Sequence, residues 1–229
     1  APLVDAKQSE PELPAFFARL RERYPEADGL LGDDTRSRIL AGTAIAIARH
    51  GLRESSVEHI LEASRFSRRT FYKVFRSKES AVEALFATCA ELLVIAVRTS
   101  VESAKTPAEK VIAAVDCYLE LLELGGPLLI GLQAEAIRPD SPLAVHREFV
   151  FQALVGLLDL HVRQSLGMAV DPYVFRCLLM GMEGLIIEAE RRAEFTVRER
   201  ERVRAAFLPV LLRTLAPEGA KLARLPKAP

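Results

Sequence analysis

The sequence predicts an all-α protein, and three observations carry that prediction. Apolar residues recur at spacings of three and four in most segments, the period of a helix face buried against a core. Gly, Pro and capping residues punctuate those segments where helices would begin and end. Between the breaks no alternation of apolar and polar residues survives, so no strand is predicted. The chain has 229 residues, half of them hydrophobic, enough for one large domain or two modest ones with a real core.

In order, Leu13, Phe16, Phe17, Leu20 and Tyr24 mark a short amphipathic helix over 11–24, and Pro25, Gly29 and Gly32 form a loop after it. That helix is flanked by acids and reads as docking on the domain, a partner surface being the alternative. Asp34 is placed to cap a helix with the stripe Ile39, Leu40, Thr43, Ala44, Ile47 and Ala48, which Gly51 ends. Ser55, with Glu58 three residues on, has the pattern of a capping box opening a helix to about Ala63. Ser67 caps the next helix, 67–73, and Ser77 caps a long one to about Ala104.

Pro107 restarts the chain with Val111, Val115, Tyr118 and Leu122 on one face, and Gly125-Gly126-Pro127 stops it. Helices follow at about 127–137, 142–166, 171–192 and 196–215, and the tail after Pro217 reads as frayed. The expected division is an N-terminal extension (1–33), a helix-turn-helix domain (34–80), a helical domain (81–216) and a C-terminal tail (217–229).

Charge is distributed unevenly. The whole chain is formally neutral, yet residues 35–80 hold ten Lys and Arg against four acids, while 1–34 hold four against eight. A local basic segment with compensating neighbours is an electrostatic footprint rather than a general affinity for polyanions. Within it, "SRFSRRTFYKVFRSKES" (64–80) interleaves four arginines and two lysines with four aromatics and has one acid, Glu79. A solvated surface helix would show such a run; so would a surface that meets phosphate.

The spacing favours the second. A helix over about 56–63, a short turn and a second helix over 67–73 make a helix-turn-helix. Val57, Ile60, Leu61, Phe71, Val74 and Phe75 supply its apolar contacts, leaving Arg68, Arg69, Thr70, Tyr72 and Lys73 to point outward. Arginine suits guanine O6 and N7, the threonine methyl suits thymine, and tyrosine and lysine suit phosphate.

The stretch from "TRSRILAGTAIAIARHG" through "SSVEHI" to "SRRTFYKVFRSKESAVEAL" resembles the N-terminal domain of the TetR family of bacterial transcriptional regulators. The resemblance implies a homodimer that binds a palindromic double-stranded DNA operator and releases it when a small effector enters the second domain. It places Tyr72 and Lys78 at phosphate-contacting positions and Ser55 or Ser56 where the second helix meets the backbone. Arg68, Arg69, Thr70 and Lys73 fall on its recognition helix, which Ser67 caps. One residue departs from the pattern: Arg65 stands in the turn where glycine is usual. A turn of unchanged shape puts Arg65 in the left-handed region at a cost of about 1 kcal/mol.

Two later segments are apolar almost all round, "FVFQALVGLLDL" (149–160) and "YVFRCLLMGMEGLII" (173–187). They are either central core helices or helices buried on one face by the core and on the other by a second subunit. A dimer is expected through 171–192 and 196–215, with Gly181 and Gly184 allowing close approach and Phe207 and Leu211 packing across the seam. Between 107 and 190 the large apolar side chains, with few polar interruptions, have the composition of an ordinary core and equally of a cavity for a hydrophobic molecule. With the resemblance, Tyr118, Leu122, Leu129, Gln133, Phe149, Gln152, Met180 and Glu183 are the expected ligand-binding residues. Glu183 either faces that cavity or reaches water at a subunit seam. A surplus of acids over bases in this region, twelve to five, disfavours a strongly anionic ligand.

Other chemistries find no support. His50, His59, His146 and His161 lack metal-ligand spacing, so no metal or other cofactor is expected. No nucleophile–base pair or phosphate-cradling glycine loop appears, so no catalytic residue is assigned. Cys89, Cys117 and Cys177 are dispersed in apolar patterns, as buried small hydrophobes in a reducing compartment would be. The longest apolar candidate, around Leu85–Val97, is interrupted by Glu91 and predicts no membrane span; the start lacks the layout of a signal peptide, and a cytoplasmic protein is expected. The reading is a ligand-responsive transcriptional regulator, a repressor rather than an enzyme. The alternatives are a helical enzyme acting on an apolar substrate and a dimeric protein-interaction adaptor.

Overall fold

The computed structural model describes residues 22–25, 30, 32–167, 169–193 and 196–215. Among these residues there are eight helices and no strand. They are α1 (Thr35–Glu54), α2 (Val57–Ser64), α3 (Arg68–Val74), α4 (Lys78–Ser103), α5 (Pro107–Ala136), α6 (Ala144–Leu166), α7 (Pro172–Ala193) and α8 (Val197–Thr214). Most of the expected 11–24 helix and all of the 217–229 tail lie outside the described residues.

Local chemistry sets most of the helix ends. The Asp34 carboxylate accepts from the amides of Arg36 (2.7 Å) and Ser37 (3.2 Å) and starts α1. Ser67 caps α3 through the Thr70 amide, Thr196 caps α8, and Ser77 and Ser80 form a reciprocal capping box at α4. Thr106 and Glu109 make the same box at α5, where Pro107 fills the first turn.

The Gly125-Gly126-Pro127 break is present but shorter than expected. Gly126 leaves the helical region (φ 53°, ψ −147°) and the helix resumes at once on Pro127, so the two expected segments form one kinked α5. A second correction concerns α2. Its cap is Ser56, which accepts from the His59 amide, and the Ser55 hydroxyl instead donates to the Leu52 carbonyl. Ser55 thereby closes α1 rather than opening α2.

Helix α5 packs against α1, α4, α6, α7 and α8, and α4 lies on α1, α5 and α6. One apolar cluster joins the α1–α3 head to the first half of the body through Ile39, Ile60, Phe71, Val82, Leu85 and Leu132. The second holds Tyr118, Phe175, Ile186, Val203, Phe207 and Leu211, with Leu93 and Leu129 touching both clusters. Phe207 and Leu211 are therefore core residues of one chain and do not face a seam. In the head, α1 approaches α2 so closely that a Cβ on Gly42 would sit 2.5 Å from Ser64 Cβ. Only glycine permits that contact.

By length and composition α4 qualifies as a membrane-crossing helix, which the interruption at Glu91 did not anticipate. Half of its apolar window is buried inside the protein, the arrangement of a core helix. Its 26 residues extend about 39 Å and run from the head into the body.

Candidate nucleic-acid interface and body cavity

The head presents α3 on a fixed base. Ile60 of α2 and Phe71 of α3 are buried, and the Phe71 ring meets Phe75 at 5.9 Å and Tyr72 edge-on at 5.3 Å. With Phe71 pointing inward, Arg68, Arg69, Tyr72 and Lys73 are exposed and Thr70 is half-buried. Tyr72, a large aromatic on a short basic helix, is 47% exposed. The helix is seven residues, about 10 Å long, and fits a major groove about 12 Å wide.

The turn keeps its shape. Arg65 takes φ 58°, ψ 30°, the left-handed conformation that the missing glycine would otherwise supply. It is the one non-glycine residue with positive φ among those described. Next to it, the Phe66 ring carries the Arg38 guanidinium 4.8 Å from its centroid. Arg36, Arg49, Arg53 and Arg76 add exposed positive charge to the head. Arg68 is paired with Glu58 of α2 across the turn, an exposed contact that water screens and that phosphate or a base edge can replace.

Lys78 has a different environment from the one expected. Its ammonium donates to the carbonyls of Ser55 (2.9 Å), Leu52 (3.3 Å) and Arg53 (3.3 Å). Those carbonyls end α1, so the first residue of α4 neutralises the negative end of another helix and clips the head to α4. Ser55 is buried beside it and presents no hydroxyl outward. Ser56 and Ser67 are committed to caps, and Ser67 also bonds Thr70 Oγ1 at 2.9 Å. The His50 and His59 rings stack at 3.7 Å, a pairing that no spacing rule foretold.

The body holds a cavity of about 510 Å³ between α4, α5, α6, α7 and α8. Tyr118, Leu122, Leu129, Gln133 and Glu183 line it, as expected, and so do Met182, Phe151 and Cys89. Phe149, Gln152 and Met180 do not; all three are exposed. The reason is angular. Positions two apart on a helix face nearly opposite directions, so Phe151 and Met182 turn inward where Phe149 and Met180 turn outward. Cys177 is likewise exposed rather than buried, on an outer stripe with Tyr173, Met180, Gly181, Gly184 and Leu185.

Polar groups cluster on one part of the cavity wall. Gln133 Nε2 donates to the Tyr118 hydroxyl, and Arg147 holds Glu183 bidentately, its Nε 2.8 Å from Oε1. Glu183 is 3% exposed, and the guanidinium is the partner that offsets its burial. Arg147 also lies over the Phe151 ring at 4.3 Å, and the Glu183 hydrogen bond raises its already high pKa. Burial, foremost, raises the Tyr118 phenol, and burial pushes the Cys89 thiol up to about 12. Tyr118 and Gln133 are thus joined in one pair, and Arg147 and Glu183 in another. Among the described residues no cluster of His, Cys, Asp or Glu has the geometry of a metal site.

A head that offers an exposed basic helix, set on a helical body with an internal cavity, has the layout of a helix-turn-helix protein. Residues 39–85 match the family of bacterial regulatory proteins, tetR family. Three solved structures share the fold. The fatty acid degradation regulator FadR from Bacillus halodurans is 20% identical over 75% of this chain and 96% of its own, with a TM-score of 0.61. A tetR family transcription regulator from Shewanella sp. PV-4 is 19% identical over 77% and 97%, with 0.58. PfmR, a TetR family transcriptional regulator from Thermus thermophilus, is 24% identical over 77% and 97%, with 0.57. Comparison with curated protein sequences finds no significant match. The likeness to the tetR family is therefore one of sequence over residues 39–85 and of fold over most of the chain.

Proposed function

We propose that the protein is a dimeric, ligand-responsive repressor that binds an inverted-repeat operator and is released from it by a mostly hydrophobic small molecule. The observation that carries this reading is the shared use of α4. Its first residue, Lys78, clips the head, while Phe86, Cys89, Leu92, Leu93, Val97 and Val101 along the same helix line the cavity. A molecule that fills the cavity alters the packing of α4, and α4 sets the position of the head. Release follows if the molecule prefers the arrangement in which two heads no longer match two half-sites.

On DNA, Arg68, Arg69 and Thr70 read bases, and Tyr72, Lys73 and the exposed arginines of the head meet phosphate. Lys78 acts there through its clip and, at the α4 N-terminus, as a phosphate contact when its carbonyl partners allow. The outer stripe of α7 supports the second subunit. Tyr173, Met180 and Leu185 are exposed there, and nothing stands within 4 Å of where side chains on Gly181 and Gly184 would begin. An apolar face of this kind with two glycines lets a partner helix approach closely.

The test is selection of bound fragments from a random DNA pool with the purified protein. The expected product is an inverted repeat with half-sites one helical turn, about 34 Å, apart. Enrichment of no repeat, or of a single unpaired half-site, overturns the proposal.

A further inference from the structure

We infer that the cavity takes a neutral amphiphile whose head group carries both a hydrogen-bond donor and an acceptor, as a primary alcohol or a carboxamide does, seated on the Tyr118–Gln133 pair. This rests on the reading of the cavity as a ligand site and adds the chemistry of what enters it.

The argument starts from an unmatched atom. Gln133 Nε2 donates to the Tyr118 hydroxyl, but Gln133 Oε1 is buried with no partner. Both residues line the cavity. A buried amide oxygen without a partner is destabilising, so the site gains from a molecule that supplies a donor. The Tyr118 hydroxyl, used as an acceptor by Gln133, keeps its own hydrogen to offer. The pair therefore presents an acceptor and at least one donor. Rotating the Gln133 amide by half a turn exchanges the roles and leaves the count unchanged: Oε1 then accepts from Tyr118, while Nε2 and a hydroxyl lone pair face the cavity. Either way the complementary head group has one donor and one acceptor.

Charge narrows the class further. Arg147, the cation beside this pair, has its guanidinium fork closed on both oxygens of Glu183. A carboxylate seated at Tyr118 would bring a second negative charge next to Glu183 with that fork already occupied. An ammonium group would lack the acceptor that the pair requires. Among the other polar groups in the lining, His161 has Nδ1 on the Leu157 carbonyl at 2.8 Å. Lys110 stands two turns from Tyr118, about 12 Å along α5, and so does not reach a group seated there. Arg213 also belongs to the lining and is already engaged by another group, while Leu93, Leu122, Leu154, Leu158, Met182 and Phe207 make most of the remaining wall apolar. That wall accepts a chain or a ring system.

Titration calorimetry on the full chain with a set of ten-carbon probes tests this: decan-1-ol, decanamide, decyl methyl ether, decanoate and decylammonium. The alcohol and the amide are expected to bind about tenfold or more tighter than the ether, which has no donor, and tighter than either ion. Gln133→Leu is expected to bring the alcohol and the ether to within about twofold of each other. Tyr118→Phe, which keeps the ring, should narrow the same gap and serves if Gln133→Leu does not fold. Phe149→Ala, outside the cavity, should leave the gap intact. Equal binding of ether and alcohol, tightest binding of decanoate, or no binding by any probe overturns the inference. Each result is read without DNA, so it is separate from failure of the operator selection.

Discussion

The Lys78 ammonium lies 2.9 Å from the Ser55 carbonyl oxygen, joining the first residue of α4 to the end of α1 across 23 positions of sequence. The contact places one charged group where head and body meet. It also gives a single side chain two measurable consequences.

Replacing Lys78 with Met should lower stability by about 1–2 kcal/mol, because three carbonyls at a helix end lose a charged donor. The same variant should bind all operators more weakly and with a shallower salt dependence. Arg68→Ala and Arg69→Ala should instead relax preference at single base pairs, by about 1–3 kcal/mol each. Urea denaturation and binding at several salt concentrations separate the two patterns. Equal loss on every sequence from Arg68 and Arg69 would show that they do not read bases.

Arg65→Gly should stabilise the head by about 0.5–1 kcal/mol, since glycine adopts φ 58° without the Cβ penalty. The gain is smaller than the full penalty because glycine also adds freedom to the unfolded chain. Thermal denaturation should show a small rise in Tm with unchanged far-UV circular dichroism.

Arg147→Met should destabilise by about 3 kcal/mol or more, because it strands the Glu183 carboxylate among apolar neighbours. Combining it with Glu183→Leu should recover most of that loss. A double-mutant cycle by urea denaturation measures the difference. If the two losses simply add, the pair is not coupled as the geometry shows.

Met180→Glu should turn a dimer into a monomer at micromolar concentration, since it sets two like charges on the outer face of α7. Sedimentation velocity checks this. The exposed glutamate costs the folded monomer little, so loss of dimer without loss of helix is the informative outcome.

Burial, and then the Cys117 thiol at 3.4 Å, push the Tyr24 phenol up to about 12 from its ordinary value of 10.0. The folded chain therefore holds this proton more tightly than the unfolded chain does. The stabilisation is complete below pH 10 and is lost as the pH rises from 10 towards 12. Tyr24→Phe should show a smaller decline in urea midpoint between pH 9.5 and 11 than the parent, with Tyr118, shifted the same way, contributing equally to both.

What the sequence revealed was mostly local. Asp34, Ser67, Ser77 and Pro107 mark helix starts because a cap acts within three or four residues of itself. Arg65 could be assigned its conformation through the family resemblance, which puts glycine at that place in the turn. The rotation of α6 and α7 was not legible in the same way. Their apolar residues run round the whole helix, so Phe149 and Phe151, or Met180 and Met182, look equivalent until neighbours are known. Lys78 was hidden for a related reason: its partners are carbonyls, which every residue has. Ser55 and Ser56 differ by one position, and only backbone geometry decides which of two adjacent serines caps.

The three thiols sit in three different settings, which gives the native chain a built-in set of chemical reporters. Cys177 is exposed on the outer stripe of α7, Cys89 opens onto the cavity, and Cys117 is buried against Tyr24. A maleimide should alkylate Cys177 first, Cys89 slowly, and Cys117 only as the fold opens. Shielding of the fast site would then report contact between subunits, and shielding of the slow one would report occupancy of the interior, in one mass spectrum and without altering a single residue.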